Sequence, residues 1–347
     1  MDKIIIEGGF PLSGEVHISG AKNAALPIMS AALLAEGTTV LENMPGLRDI
    51  HTMAALLRHM GAEVNLAEGR AEINADRVAD PSAPYELVKT MRASALVLGP
   101  LLARHGRARV SLPGGCAIGP RPMNLHLKAL EAMGADITLE QGYVAAEAPA
   151  GGLRGAEFFF DQPTVTGTEN ILMAAVLAHG RTILRNAAME PEVVDTARVL
   201  TKMGARIKGA GTDEIVVEGV TSLKAPEYRI MADRIETGTY MVAAGITHGR
   251  ITIKGAPPGC YDAVEKKLEE AGLKFEHQGP DVIVTGPERI LSTDIKTRPF
   301  PGFPTDMQAQ FMALMTLGSG LSVITETIFE NRFMHVSELK RMGADIR

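Results

Sequence analysis

The residues with the clearest capacity for chemistry lie in one loop, at residues 113–122. Cys116 and Arg121 stand there among three glycines and three prolines, a composition that excludes a helix or a central strand. A thiol with an ordinary pKa of about 8.5 is mostly protonated at neutral pH and can donate its proton, and its thiolate is a nucleophile. The guanidinium can pair with a phosphate or a carboxylate. The loop is either a lid that carries a reactive side chain or a surface turn with a small apolar cysteine.

Cations stand at the starts of two predicted helices. Lys22 opens a helix of small residues, and Lys89 and Arg92 occupy the start of a second one. A cation at this end opposes the helix dipole by roughly 0.3–1 kcal/mol. An anion held by the cation and the first backbone N–H groups would offset that cost. A single lysine of this kind can simply be solvated, but its repetition favours an anion site.

Asp306 precedes a helix rich in Ala and Met and follows Pro304 and Thr305. A carboxylate in this position is an ordinary N-terminal helix charge. The chain contains no Gly-x-x-x-x-Gly-Lys-Ser/Thr loop, which excludes nucleotide binding of the P-loop kind.

Composition narrows the class of protein. A chain of 347 residues can bury a large core and favours two domains over one. A net charge of −6 without a basic block, few aromatic residues and no Trp argue against nucleic acid as a partner. The two cysteines make neither a disulfide framework nor a metal-ligand cluster. Because there is no leader-like segment or long apolar run, we expect a cytosolic protein that does not enter a membrane.

The sequence repeats itself roughly every 70 residues. Met-Gly-Ala recurs with Gly61, Gly134, Gly204 and Gly343, and Ala271-Gly272 occupies the remaining place. A second glycine marker runs in step and is followed each time by a β-rich run, at Gly37, Gly106, Gly180, Gly249 and Gly320. Five copies of one unit are therefore present. We expect a sixth, on the order of 70 residues, to be absent.

Each repeat predicts the same elements. A helix of small apolar residues comes first, at residues 24–35, 93–103, 170–178, 239–247 and 308–317. A glycine turn and a strand follow, then an amphipathic helix that stops at the Met-Gly marker, as at residues 50–60 and 125–133. More strands close the unit. The first helix is apolar nearly all round and should be buried, whereas the second should cover it.

Several motifs together resemble one family. They are residues 20–27 (GAKNAALP), 91–94 (MRAS), the Cys116 loop, 233–238 (DRIETG), 303–310 (FPTDMQAQ) and 325–333 (TETIFENRF). They resemble the UDP-N-acetylglucosamine 1-carboxyvinyltransferases. The resemblance implies transfer of the enolpyruvyl group of phosphoenolpyruvate to the 3-hydroxyl of UDP-N-acetylglucosamine with release of phosphate, by addition and then elimination. That reaction is the first committed step of peptidoglycan biosynthesis and uses no metal or cofactor.

The resemblance also implies an α/β fold. It is the two-domain enolpyruvyl-transferase fold, an inside-out α/β barrel of repeated βαβαββ units with helices inside and sheets outside. Residues 22–230 would form a catalytic domain of three repeats with the Cys116 loop. Residues 1–21 and 231–347 would form a second domain with two of its three repeats. Family members carry six repeats, the last of which supplies basic contacts to phosphoenolpyruvate, so the chain departs from the pattern by ending after five.

Residue roles follow from the same resemblance. Cys116 would be the proton donor and the residue that fosfomycin alkylates, Asp306 a general base or orienting group at the 3-hydroxyl, and Lys22 a third catalytic residue. The substrate-binding set would be Lys22, Asn23, Arg92, Arg121, Pro122, Met123, Asn124, Leu125, Thr164, Val165, Asp306 and Ile328. Cys260 reads as structural. The charges at Asp233, Arg234 and Arg332 would either line the site or form structural ion pairs.

Three alternatives remain open. The related 3-phosphoshikimate 1-carboxyvinyltransferases share the fold, but their lid has no equivalent of Cys116 and their first motif has Lys-Ser in place of Lys22-Asn23. A non-catalytic sugar-nucleotide-binding protein would not be expected to retain Lys22, Cys116 and Asp306 together. A fragment with an incomplete second domain would expose apolar faces.

Overall fold

The structure is a computed structural model that describes residues 4–89, 91–112 and 123–347. The predicted lid with Cys116, Arg121 and Pro122 lies outside the described residues. The described chain forms two compact units. We call residues 20–231 the larger unit, and residues 4–19 with 232–347 the smaller unit.

Helices and strands alternate along the described chain. The helices are α1 (Lys22–Ala31), α2 (Arg48–His59), α3 (Tyr85–Val88), α4 (Leu98–His105), α5 (Asn124–Ala132), α6 (Val165–Ala175), α7 (Pro191–Lys202), α8 (Arg234–Ile246), α9 (Asp262–Glu270), α10 (Gln308–Met315) and α11 (His335–Arg341). Three 3₁₀ segments adjoin α1, α4 and α10, at Ala32–Leu34, Arg92–Val97 and Thr305–Met307. Within the described ranges, no helix combines the length and the apolar character needed to cross a membrane.

The strands are short, mostly three to five residues. They are β1 (Ser13–His17), β2 (Thr38–Glu42), β3 (Glu63–Ala67), β4 (Arg70–Asn74), β5 (Ser82–Ala83), β6 (Arg107–Ser111), β7 (Asp136–Glu140), β8 (Tyr143–Glu147), β9 (Glu157–Phe159), β10 (Arg181–Arg185), β11 (Arg206–Lys208), β12 (Glu214–Glu218), β13 (Glu227–Arg229), β14 (Arg250–Lys254), β15 (Lys274–Gln278), β16 (Asp281–Thr285), β17 (Ile295–Lys296) and β18 (Ile324–Thr325).

One sheet order recurs in both units. The larger unit has β13-β2-β4-β3, β5-β6-β8-β7 and β9-β10-β12-β11, and the smaller unit has β1-β14-β16-β15. In each sheet the strand after the second glycine marker pairs in parallel with one neighbour and antiparallel with the hairpin that follows it. Strands β17 and β18 form a two-stranded sheet with the same parallel pairing. The predicted repetition of one α/β unit is therefore confirmed.

The helices of small residues form the centre of the larger unit. Helix α6 packs against α1 and α4, and the 3₁₀ segments connect α1 with α4. Every residue of α1 from Ala24 to Ala31 is buried, because small side chains let neighbouring helices approach closely. Helices α2, α5 and α7 pack against this centre and keep partly exposed faces. In the larger unit the helices thus lie inside and the sheets outside, as the family resemblance implies.

The Met-Gly markers end the second helix of each repeat. Gly61, Gly134, Gly204, Gly272 and Gly343 all have positive φ, from 93° to 112°, a conformation that favours glycine. The second marker departs at one place. There His248 takes the left-handed conformation, with φ 54°, and Gly249 is required for another reason. A Cβ on Gly249 would stand 2.3 Å from the carbonyl oxygen of Leu12.

Candidate active site

The start of α1 is held from two sides. A Cβ on Gly20 would stand 1.7 Å from the carbonyl oxygen of Asn43, so only glycine fits there. The N–H of Ala21 donates to the Met231 carbonyl at 2.8 Å. Lys22 and the exposed Asn23 are then the first residues of α1. The first-turn N–H groups of a helix lack intrahelical acceptors, so this end can receive an anion.

Lys22 has a carboxylate partner that the sequence did not indicate. Its Nζ lies 3.2 Å from Asp49 Oδ2, and both side chains are about one-third exposed. An exposed pair of this kind contributes only about 0–1 kcal/mol. Asp49 stands in the first turn of α2, where an acidic residue is ordinary. The ion pair orients the Lys22 side chain. Because the pair contributes so little free energy, an anion that displaced Asp49 from Lys22 would lose little by doing so.

The expectation that Lys89 repeats the placement of Lys22 is wrong. Lys89 follows the last residue of α3 and forms an ion pair with Glu86, because α3 ends before the next helical segment begins. Arg92 does repeat it, as the first residue of the Arg92–Val97 segment.

Two more predicted substrate-binding segments also open helices. Asn124 is the first residue of α5, between the buried side chains of Met123 and Leu125. Thr164 caps α6, because its Oγ1 accepts a hydrogen bond from the Gly167 N–H at 3.2 Å. Val165 is the first residue of α6. Helix α6 packs against both α5 and the Arg92–Val97 segment, so the larger unit groups these helices in one packed core.

One turn after Val165, Glu169 is almost fully buried. Its Oε1 has no hydrogen-bond partner in the described chain. Burial, and then the nearby Glu192 and Glu190 carboxylates, raise the pKa of Glu169 well above its usual range. The structure therefore favours a neutral Glu169 in the folded protein.

We expect Glu169→Gln to flatten the dependence of stability on pH. Above the ordinary pKa of 4.5 the unfolded chain releases this proton, whereas the folded chain keeps it. Wild type should therefore lose unfolding free energy as pH rises, by up to about 1.4 kcal/mol per pH unit, until the raised pKa is reached. Urea unfolding at pH 5, 6, 7 and 8 measures the slope.

The matched control is Glu63→Gln, which changes an exposed carboxyl in the same unit. It should keep the wild-type slope. If Glu169→Gln and wild type gave the same slope, Glu169 would be ionised in the folded protein, and the argument from burial would be wrong.

In the smaller unit, Asp306 pairs with Arg332. Arg332 Nη2 lies 2.5 Å from Asp306 Oδ1, and Arg332 Nη1 donates to Thr305 Oγ1 at 3.2 Å. The Arg332 carbonyl accepts from Gln308 Nε2 at 3.0 Å. The Arg332 guanidinium thus fixes Asp306 through its Oδ1 atom. Of the two roles left open for Arg332, the structure shows the ion pair.

Ile328 is positioned by Glu326, which the sequence did not single out. Glu326 Oε1 accepts from the Ile328 N–H at 2.7 Å and from Thr297 Oγ1 at 2.8 Å. Glu326 Oε2 accepts from Thr305 Oγ1 at 2.8 Å. Through this carboxylate the Ile328 segment is tied to the Asp306 segment. Glu326 belongs to the 325–333 motif, but its partners Thr297 and Thr305 lie more than twenty residues away, so the motif alone does not show this role.

Two other charged residues have structural positions. Asp233 caps α8, because its Oδ1 accepts from the Ile235 and Glu236 N–H groups at 2.8 and 3.0 Å. Arg234 is buried, with its guanidinium 5.8 Å from the Phe300 ring centroid.

Cys260 is partly buried, and its Sγ lies 3.7 Å from the Pro258 carbonyl oxygen. In the described residues no group of three His, Cys, Asp or Glu side chains is arranged to hold a metal ion.

The predicted residues therefore fall into two groups and a remainder. The first group stands at helix starts of the larger unit and comprises Lys22, Asn23, Arg92, Met123, Asn124, Leu125, Thr164 and Val165. Asp306 and Ile328 are linked within the smaller unit. Cys116, Arg121 and Pro122 lie outside the described residues.

The family model and the relatives that match this chain are all 1-carboxyvinyltransferases. The family model described as EPSP synthase (3-phosphoshikimate 1-carboxyvinyltransferase) matches residues 6–347. A UDP-N-acetylglucosamine 1-carboxyvinyltransferase of Thermodesulfovibrio yellowstonii is 58% identical over 347 residues, which cover 100% of this chain and 83% of that protein. The protein of the same name from Desulfosudis oleivorans is 59% identical over 346 residues, 100% of this chain and 82% of its own length.

Solved structures share the fold. The enolpyruvyl transferase NikO from Streptomyces tendae has a TM-score of 0.84 at 23% identity, covering 96% of this chain and 80% of its own. An EPSP synthase from Acinetobacter baumannii has a TM-score of 0.72 at 22% identity, covering 98% and 81%. The predicted fold class is confirmed. The chain therefore belongs to the enolpyruvyl transferase family, and within it to the UDP-N-acetylglucosamine 1-carboxyvinyltransferases, which are transferase enzymes.

Proposed function

We propose that the protein transfers the enolpyruvyl group of phosphoenolpyruvate to the 3-hydroxyl of UDP-N-acetylglucosamine and releases phosphate. The observation that carries the proposal is the set of helix starts in the larger unit that bear Lys22, Arg92, Asn124 and Val165. Both substrates are anions, and helix starts with adjacent cations suit anions. The names of relatives 56–59% identical support the same pair of substrates.

The proposed chemistry is an addition followed by an elimination. The sugar hydroxyl attacks C2 of phosphoenolpyruvate while C3 takes a proton from the Cys116 thiol. Asp306 accepts or orients the hydroxyl proton. The C2–O bond to phosphate then breaks, a proton leaves C3, and the enol ether remains. Because the reactants carry their charge from the start, positioning and fixed charges supply much of the rate.

Residues 22–230 form the catalytic domain in this proposal, with Lys22 and Asn23 at phosphoenolpyruvate and Arg92 at phosphate groups. Residues 1–21 and 231–347 form the second domain, which supplies Asp306 and Ile328. Arg121 lines the substrate site, where it can pair with a phosphate or a carboxylate. Pro122, Met123 to Leu125, Thr164 and Val165 line the same site and contact the UDP-sugar. The product would enter peptidoglycan biosynthesis in the cytoplasm, and fosfomycin would inhibit the reaction by alkylating Cys116.

A phosphate-release assay beside a calorimetric titration with UDP-N-acetylglucosamine tests the function. We expect phosphate release from phosphoenolpyruvate only when the UDP-sugar is present, and a product heavier than the UDP-sugar by one enolpyruvyl group. Release that depends on shikimate 3-phosphate instead would assign the chain to the other branch of the family. UDP-sugar binding without turnover by the full-length protein would identify a sugar-nucleotide-binding protein.

A further inference from the structure

A fully buried amide, Asn170 on α6, has all three of its side-chain partners within the larger unit. Its Oδ1 accepts from the Gly99 N–H at 2.6 Å. Its Nδ2 lies 3.2 Å from the Ala95 carbonyl oxygen and 3.0 Å from His126 Nδ1. The backbone donor at Gly99 requires an oxygen opposite it, so the amide can be oriented in only one way. Both hydrogens of Nδ2 are then directed at Ala95 and His126.

This orientation fixes the tautomer of His126. Nδ1 must present a lone pair to the amide, so the neutral ring carries its proton on Nε2. His126 is 4% exposed. Burial, and then the positive charge of Arg92, lower the pKa of His126 to about 4, which is consistent with a neutral ring that accepts a hydrogen bond.

The amide connects the three helical segments that carry the candidate site of the larger unit. Asn170 belongs to α6, which starts at Val165, and His126 belongs to α5, two residues after Asn124. Ala95 lies in the segment that starts at Arg92. Gly99 follows that segment, and a Cβ there would stand 2.5 Å from Asn170 Oδ1. Any side chain at position 99 would therefore prevent this close contact with Asn170.

We propose that Asn170 and His126 are positioning residues for the UDP-sugar, which hold the helix starts at Arg92, Asn124 and Val165 in register with one another. The inference rests on the proposed function. Helix starts that must bind one ligand together are sensitive to small displacements. A buried amide with three partners sets their spacing, because each lost partner leaves a buried polar group unsatisfied.

Three variants test the pair. Asn170→Asp keeps the shape and the acceptor for Gly99 but turns the two donors into acceptors. His126→Leu removes the ring acceptor, and His126→Asn restores an acceptor close to the position of Nδ1. Tyr228→Phe is the control, because it removes a different, partly buried hydrogen bond of the same unit, the 2.7 Å bond that the Tyr228 hydroxyl donates to Asp195 Oδ1.

We expect Asn170→Asp and His126→Leu to raise Kd and KM for UDP-N-acetylglucosamine by about tenfold to a hundredfold. At saturating UDP-sugar, kcat should change by less than about threefold. His126→Asn should stay within about threefold of wild type, and Tyr228→Phe should lower Tm without changing KM. Nitrogen-15 NMR of wild-type His126 should show the proton on Nε2, and Asn170→Asp should change that pattern.

Unchanged UDP-sugar affinity in folded Asn170→Asp and His126→Leu, beside normal wild-type binding, would overturn the inference alone. A proton on Nδ1 of wild-type His126 would overturn it as well. Absence of UDP-sugar binding by wild type would overturn the proposed function and this positioning role with it. Equal losses in His126→Asn and His126→Leu would show that the ring is needed for more than accepting the bond, and would also contradict the inference.

Discussion

Replacement of Asp306 by Asn is expected to lower kcat by about 10²- to 10⁴-fold, the range of general acid–base effects. The amide keeps the size of the side chain and can still accept from Arg332 Nη2, which lies 2.5 Å from Oδ1 in the wild type. It cannot take the proton of the sugar hydroxyl. Affinity for UDP-N-acetylglucosamine should therefore stay within about threefold. Steady-state kinetics and calorimetric titration on the same protein measure the two quantities.

The control is Asp294→Asn, in the same unit, at an exposed aspartate whose Oδ1 accepts from the Val323 N–H at 2.7 Å. It should leave kcat and affinity unchanged. Equal losses of turnover and affinity in Asp306→Asn would assign Asp306 to binding alone. If Arg332→Gln lost as much kcat as Asp306→Asn, the ion pair, rather than the carboxylate by itself, would be the functional unit.

The repeated architecture could be predicted because its signals are local. A helix of small residues, a glycine that adopts positive φ and an alternating strand lie close together in the sequence, and the structure confirms them at Gly61, Gly134 and Gly204. Helices α1, α5 and α10 begin within two residues of their predicted starts, but α6 and α8 begin at Val165 and Arg234, five residues before the predicted positions 170 and 239. The error at Lys89 arose where α3 and the Arg92–Val97 segment lie only a few residues apart, since sequence patterns place helix boundaries poorly.

The contacts that hold the candidate residues could not be predicted. Glu326 connects Ile328 to Thr305, and Asn170 connects His126 to Ala95 and Gly99. These partners come from different elements, so they become neighbours only after the helices pack. The sequence does show a polar residue in a helix otherwise rich in small apolar residues. Such a residue indicates that a hydrogen-bond partner exists, but it does not indicate which residue that partner is.

Replacement of Cys116 by Ala is expected to lower kcat by about 10²- to 10⁴-fold, since it removes the proposed proton donor to C3 of phosphoenolpyruvate. Cys260→Ser is the matched control, because the only other cysteine of the chain is assigned no role in the reaction. Its turnover should equal that of wild type. Phosphate release with both substrates saturating measures the effect.

Fosfomycin labelling separates a reactive thiol from a small apolar one. With UDP-sugar present, mass spectrometry of the full-length protein should find one adduct, on Cys116, in wild type and Cys260→Ser alike, and none in Cys116→Ala. Turnover should fall in proportion to labelling, because the same sulfur serves both reactions. Its thiolate form is alkylated, and its thiol form donates the proton. An adduct on Cys260 alone, or full turnover by a labelled protein, would contradict the catalytic role of Cys116 and favour the alternative of a small apolar cysteine in a surface turn.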